Sequence, residues 1–284
     1  MESSFPGFGM RPFGRTKAMV SPIAMAGTTL GINDPPVEVY RHGFERGINL
    51  FFWDSSFKNM TTALLELSSD ERSKLFIIAI NAGGGPRQIR KGLHKKLKIL
   101  KLEKFGSYLL GWVRSKYRVR QSVLDELVSI REDGLCDNIG LSIHKRKMAY
   151  DLSTKNIFDI FMVRYNAAHR GLEDDFLNKL NPENRPAVLT YTTTRWGKLL
   201  KRPPNWEDNL PRPGDLYRFA LSYPLVDSVC MSIHNIDQLD SNLEVLSEGV
   251  LKPDEDTFIR RFGDVVYQMK TPLFGNLYEK SDKI

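Results

Sequence analysis

Residues 47–54 read Gly47-Ile48-Asn49-Leu50-Phe51-Phe52-Trp53-Asp54, an almost wholly apolar run closed abruptly by a carboxylate. A strand with one wet face would alternate apolar and polar side chains, and this stretch does not. It reads as a strand buried on both faces, with helices over one side of a parallel sheet and a packed interior on the other. Asp54 then stands where that strand ends.

The same pattern recurs in both directions along the chain. Further strands are predicted at 20–26, 75–80, 107–112, 137–143, 158–165, 187–191 and 226–231. Helical periodicity covers 38–46, 61–68, 87–104, 119–131, 171–180, 215–221, 236–247 and 254–267, with a weaker stretch between the fifth and sixth strands. Eight apolar strands separated mostly by helices imply an α/β fold, a (β/α)8 TIM barrel, as one domain over 1–284. A doubly wound sheet would give a similar pattern. The Pro-rich passage 202–213 reads as a βα loop, since no segment has the composition of a linker.

An apolar fraction of 41% is ordinary for a folded domain and argues against disorder. The formal charge of +7 favours phosphate-bearing ligands. Its densest source, 87–104, has Ile89, Leu93, Leu97 and Leu100 at helical spacing, so it reads as an amphipathic helix with a solvated basic face. No zinc spacing or recognition helix accompanies it, and no nucleic-acid partner is expected. Cys136 and Cys230 are isolated among apolar residues, which fits free thiols in a reducing compartment. With no secretory pattern at the start and no apolar window of membrane length, a cytoplasmic location without membrane association is expected. The histidines lack local ligand spacing, so no metal site is expected. Gly83-Gly84-Gly85 lacks the Lys-Ser/Thr of a phosphate loop and reads as a bend near the barrel mouth.

Several short stretches arrive in the order found in one family. They are Phe13-Gly14-Arg15-Thr16, Val20-Ser21-Pro22, Gly27-Thr28, residues 47–54, Ile139-Gly140-Leu141-Ser142, Tyr165-Asn166 and Gln238-Leu239-Asp240-Ser241-Asn242. Together they resemble the aldo-keto reductases, and the resemblance implies a (β/α)8 barrel carrying NADPH over its C-terminal mouth. Within that resemblance Asp54 matches the catalytic aspartate. Asn59 stands where the family has its tyrosine acid, Asn81 where it has a lysine, and Leu109-Leu110-Gly111-Trp112 where a strand ends in Leu-Leu-His. Residues 109–112, 162–170 and 192–197 resemble a less-studied branch of the superfamily that also lacks these groups.

Asparagine has no usable proton to give near neutrality, so ordinary reductase chemistry is not expected. Asp54 without its lysine is expected to be desolvated, with a raised pKa. The catalytic candidates are Asp54, His144, Asn59 and Asn81, with His144 as the best base because imidazole titrates near neutrality. By the resemblance, Ser142, Tyr191, Thr192, Thr193, Thr194, Arg195, His234 and Asn242 are the positions that would hold NADP, weakly or not at all. Ile143, Met162 and Ser241 replace polar groups that the family uses on the coenzyme. Arg195 could also fork onto a phosphate or carboxylate. Plainer roles compete: Asp54 as a helix cap, His144 as an exposed residue, His169-Arg170 as a loop anchor, and Tyr191 with Trp196 as rim aromatics. Three functions remain open. One is a divergent reductase-like enzyme on a small polar or anionic metabolite, another a redox-free lyase, isomerase or hydrolase using His144 and Asp54, and the third a non-catalytic binding protein. The oligomeric state is left open.

Overall fold

The apolar run around Phe51 is the second of eight parallel strands. The structure is a computed structural model that describes residues 7–28, 33–204 and 206–269. The barrel strands are β1 (Ile23–Ala26), β2 (Leu50–Trp53), β3 (Phe76–Asn81), β4 (Phe105–Val113), β5 (Cys136–Ile143), β6 (Ile160–Arg164), β7 (Ala187–Tyr191) and β8 (Ser228–Met231). Each pairs with its neighbour in sequence, and β8 closes on β1 through Val229, Cys230 and Met231 opposite Ile23, Ala24 and Met25. That closure confirms the (β/α)8 barrel and excludes the doubly wound sheet. Between and after the strands lie α1 (Val37–Glu45), α2 (Lys58–Glu66), α3 (Ser69–Ser73), α4 (Pro86–Leu100), α5 (Gln121–Glu132), α6 (Arg146–Ser153), α7 (Leu172–Asp175), α8 (Pro213–Leu221), α9 (Ile236–Leu246) and α10 (Pro253–Gln268). Among the described residues no helix is long and apolar enough to cross a membrane.

Strand alternation decides which side chains enter the barrel. Trp53 stacks on Phe105 at 5.9 Å and its indole N–H donates to Thr61 Oγ1 of α2 at 2.9 Å, so Trp53 faces the helices and Phe52 the interior. Phe161 meets Phe176 at 5.4 Å on the helix side, which turns Met162 and Arg164 inward. By register Leu189 and Tyr191 share that face, being opposite Met162 and Arg164.

Two elements differ from expectation. The strand expected over 20–26 is split at Ser21-Pro22. Met19–Val20 pairs antiparallel with Arg11–Pro12, and only Ile23–Ala26 joins the barrel. Proline offers no N–H to a ladder, which makes it a natural break. The helix expected over 171–180 ends at Asp175. Phe176 leaves helical geometry with φ −141°, and a 3-10 turn, Leu177–Lys179, follows. Both Phe176 and Leu177 are fully buried, so burial of consecutive apolar residues overrides helix continuation. Cys136 begins β5 rather than preceding it, and burial pushes its thiol up to about 12.

Helix α10 is tied to the loops that follow β6 and β7. Arg170 donates to Ala167 O at 2.7 Å, Arg260 O at 3.1 Å and Asp264 Oδ1 at 2.7 Å, and Arg195 donates to Val266 O. Gly263 lies against the Ala167 carbonyl so closely that an added Cβ would overlap it. Gly263→Ala should therefore cost about 1–3 kcal/mol through overpacking, read as a lower Tm. An unchanged Tm would show that the contact yields easily.

Candidate functional site

The C-terminal ends of four consecutive strands bring together the polar groups of the mouth. β4 has an irregular register between Leu110 and Val113, and Trp112 within it takes φ +50°. Gly111 passes so near β3 that a Cβ would sit 2.7 Å from Asn81 O. Its own carbonyl accepts from Arg118 Nη2 at 2.9 Å. Such bulges re-aim the residues after them. Here Val113 comes opposite Ile143, so Arg114 lies beside His144, whose backbone N–H donates to Val113 O at 3.4 Å.

Tyr191 ends β7, and its hydroxyl lies 3.0 Å from His144 Nδ1. The two rings meet edge to face at 6.0 Å and 86°. Their strands, β5 and β7, are separated by β6, so the contact reaches across the end of β6. The inward side chain there is Arg164, opposite Tyr191 in register and 7% exposed. Arg114, His144, Arg164 and Tyr191 thus occupy adjacent strand ends.

Charge and burial set their protonation. Burial first, then the charges of Arg114 and Arg164, push His144 down to about 4. Burial pushes the Tyr191 phenol up, while the same two arginines pull it the other way. Near neutrality the pair is a neutral imidazole and a neutral phenol joined by one hydrogen bond. Burial, followed by Arg164, Arg195, Arg146 and Lys198, also pushes His169 down to about 2. His169 Nδ1 lies 3.1 Å from Asn166 Oδ1, and Asn166 Nδ2 donates to Thr192 O at 2.8 Å, binding the ends of β6 and β7.

The loop after β7 is strained. Thr192, Arg195, Trp196 and Gly197 have φ of +57°, +50°, +51° and +77°. For residues with a Cβ, each such conformation costs on the order of 1–3 kcal/mol and concentrates at ligand sites. Arg195 N–H to Thr192 O at 2.8 Å and Leu199 N–H to Thr194 O at 3.1 Å hold the loop. Trp196 remains 49% exposed and Trp112 41% exposed. Thr193 Oγ1 is buried without a hydrogen-bond partner among the described residues.

Asp54, Asn59 and Asn81, which match three positions of the reductase quartet, have their side chains engaged elsewhere. Asp54 Oδ2 accepts from Lys96 Nζ at 2.5 Å, and its Oδ1 accepts from the Ser56 N–H at 3.0 Å. Lys96 belongs to the buried side of α4, with Ile89, Leu93, Leu97 and Leu100, and its ammonium lies 5.2 Å from the Trp53 ring. The carboxylate therefore engages the helix layer. Burial raises its pKa, but the Lys96 hydrogen bond and charge, with Ser56, hold it below the usual carboxylate value. This corrects the expected raised pKa of an aspartate without a lysine. Asn59 donates from its backbone N–H to Asp34 Oδ2 at 2.8 Å and from Nδ2 to Asp34 O at 3.2 Å. Asn81 donates to Tyr108 OH at 3.1 Å and accepts from Gly83 N–H at 2.7 Å. The expected partnership of His144 with Asp54 is replaced by His144 with Tyr191.

Of the remaining expected positions, Ser142 is buried on β5, and Thr192 Oγ1 donates to Tyr191 O at 2.7 Å. Arg195 is 1% exposed and binds the last turn of α10, so the expected anion fork serves the fold. His234 is exposed and its backbone N–H is taken by Gln238 Oε1 at 3.0 Å. Asn242 is buried, 3.9 Å from Met231 Sδ. Tyr165 stacks on Phe219 at 5.5 Å and donates to Glu173 at 2.6 Å in the helix layer. Sequence reasoning missed Arg114, Arg164 and Lys96 as site or site-shaping residues. Arg164 had a signal, a charge ending an otherwise apolar strand. So did Lys96, which falls on the apolar stripe of its helix. Among the described residues no group of three or more His, Cys, Asp or Glu could hold a metal ion.

Neither a family model nor a curated protein matches the sequence. Solved structures do match the fold. A holo-form aldo-keto reductase of Bacillus halodurans superposes with a TM-score of 0.71 at 16% identity, over 92% of this chain and 98% of that one. A thermostable aldo-keto reductase in complex with the inhibitor epalrestat gives 0.69 at 18% identity, over 89% and 99%. A protein of Pseudomonas aeruginosa assigned to the aldo-keto reductases gives 0.69 at 17% identity, over 84% and 94%. The chain has the barrel fold of these proteins.

Proposed function

We propose that this chain is an enzyme that moves a proton on a small molecule at the C-terminal mouth of the barrel, with His144 as the base and Tyr191 orienting it, and without a nicotinamide step. The observation that carries the reading is the 3.0 Å contact between Tyr191 OH and His144 Nδ1, made across the end of β6. When the phenol accepts from Nδ1–H, the buried Nε2 carries the lone pair that would accept a proton. When it donates, Nε2–H becomes a hydrogen-bond donor. Either way, the tyrosine fixes the ring, as the orienting partner of a catalytic histidine must. Elimination, isomerisation and hydrolysis each need such a group.

The side chains present do not fit NADPH in the manner the family fold implies. Asn242 is turned against Met231, and Ile143 and Met162 offer nothing polar to a carboxamide. Asp54, Asn59 and Asn81 are committed to Lys96, Asp34 and Tyr108. Among the described residues expected to touch the coenzyme, the buried Thr193 hydroxyl is the group that speaks for a phosphate contact. Titration with NADPH should accordingly give no saturable change in coenzyme fluorescence up to millimolar coenzyme. Saturation at micromolar coenzyme would contradict the redox-free reading. The direct test of function is incubation with a metabolite extract, coenzyme omitted, followed by mass spectrometry. One metabolite pool should be converted by the native protein and not by His144→Gln. Conversion seen only when NADPH is added would restore the reductase reading.

A further inference from the structure

Helix α4 presents one sign of charge to solvent. Arg87, Lys91, Lys95 and Lys98 recur at three- or four-residue spacing on its exposed side, and Lys101 continues the row from the C-cap. From Arg87 to Lys101 the helix rises about 21 Å, which puts one cation on nearly every turn. Among the described residues no carboxylate pairs with any of these five. The basic residues of α4 that do meet carboxylates are Arg90, with Glu126 and Asp133, and Lys96, with Asp54. A face that serves solubility alone commonly interleaves both signs, as α10 does with Asp256, Arg260, Arg261 and Asp264. On α4 the neighbours Arg87–Lys91, Lys91–Lys95 and Lys95–Lys98 repel one another at helical spacing, a cost that nothing in this chain offsets.

We propose that this row docks an acidic segment of a partner protein. The row is one helix wide, since α4 packs between α2 and α5. Acids flank it on both sides. Glu126 and Asp133 receive Arg90 on the α5 side, and on the other side Asp70 and Glu71 belong to α3, whose Arg72 donates to Leu100 O at 3.3 Å. A nucleic-acid duplex or an anionic bilayer spreads its charge wider than one helix and would press phosphates against those acids. A single strand is narrow enough, but such strands are held by aromatic rings interleaved with the cations along their track. Residues 87–101 contain no Phe, Trp or Tyr. A peptide with Glu or Asp once per helical turn matches the step of the row and fits between the flanks.

The row also has a direction. Arg87 opens it beside the turn Gly83–Gly85, where side chains added at Gly83 and Gly85 would meet the guanidinium groups of Arg118 and Arg120 at 3.0 and 3.5 Å. Arg120 in turn stands over the exposed ring of Tyr117 at 4.3 Å, so that face of the ring is taken. A segment laid along α4 therefore ends against the loop that follows β3, at the rim of the mouth. Complementary charge of this exposed kind sets encounter rate and partner choice more than affinity. The complex is accordingly transient and weakened by salt.

The test titrates the native chain with a fluorescent oligoglutamate peptide, and separately with oligothymidylate and with phosphatidylserine vesicles. Saturable, salt-sensitive binding of the peptide is expected, tighter than that of the other two probes. Arg87→Gln, Lys91→Gln and Lys95→Gln together should weaken the peptide about tenfold, each exposed ion pair being worth a factor of roughly two. Lys155→Gln, Lys201→Gln and Lys252→Gln remove the same charge from exposed positions elsewhere and should bind like the native chain. The α4 variant should melt at or above the native Tm, because it loses like-charge pairs and a cation in the first helical turn. Three results overturn the proposal: peptide binding unchanged in the α4 variant, equal weakening in both variants, or tighter binding of oligothymidylate or vesicles through the α4 residues. A lowered Tm in the α4 variant would also overturn it, by showing that these cations serve the fold.

Discussion

Replacing His144 with glutamine is expected to lower turnover by about 10²–10⁴-fold, the usual contribution of a positioned acid or base. Glutamine can keep a hydrogen bond to Tyr191, but it has no group that takes up a proton near neutrality. The backbone N–H of residue 144 and the surrounding strand ends are unaffected, so thermal stability should stay nearly constant. Tyr191→Phe removes the hydroxyl that orients the ring and should cost less. The pH profile carries the sign of the electrostatics. A base must be neutral to act, and His144 is pushed down to about 4, so activity should persist well below the pH at which an ordinary imidazole would be lost. Arg114→Met removes a cation, favours the imidazolium and should move the acid limb to higher pH. An acid limb that does not respond to Arg114 would mean that some other group controls it.

The second large effect is on stability. Lys96→Met leaves the Asp54 carboxylate facing the helix layer without its counter-ion, and loss of one partner of a buried pair costs about 3 kcal/mol or more. For a domain of this size that is a drop in Tm on the order of 6–12 °C. The pair also makes stability pH-dependent. Because the Asp54 pKa is lowered in the folded state, its contribution is fully present above the ordinary carboxylate value and is lost as pH falls through the folded value. In Lys96→Met that acid-side loss should shrink. Turnover per folded molecule should survive, since the pair lies in the helix layer rather than among the mouth groups. A Lys96→Met protein as stable as the native chain but inactive would return Asp54 to the reaction. Urea melts at two pH values, with activity normalised to folded protein, separate these outcomes.

The sequence made the barrel legible because each parallel strand is buried on both faces and appears as an uninterrupted apolar run, as 48–53 does. The misread elements were those where tertiary burial overrides local pattern, such as Phe176, whose ring packs on Phe161 and ends α7 early. The site was harder to read. Position along a strand places Asp54 at the mouth, yet its side chain turns to Lys96, a residue 42 positions later. Nothing local announces that turn, although the lysine interrupts the apolar stripe of a helix whose charges read as a solvated face. Likewise Asn59 and Asn81 look polar enough for catalysis but serve a loop and a neighbouring strand through Asp34 and Tyr108. His144 was legible as a titratable group at a strand end. Its partner was not, because Tyr191 lies 47 residues away and two strands over, a contact that only barrel closure creates.

The central claim is that the mouth moves protons and not hydride. It is tested most directly by running the converted metabolite pool in deuterated water, in one arm without coenzyme and in another with NADPH deuterated at the transferable position in ordinary water. The account predicts conversion without coenzyme in the first arm, with solvent deuterium at a product carbon for an isomerisation or in recovered substrate for a reversible elimination, no deuterium from the coenzyme in the second arm, and neither conversion nor label with His144→Gln. Deuterium delivered from the coenzyme, with no conversion in its absence, would contradict it.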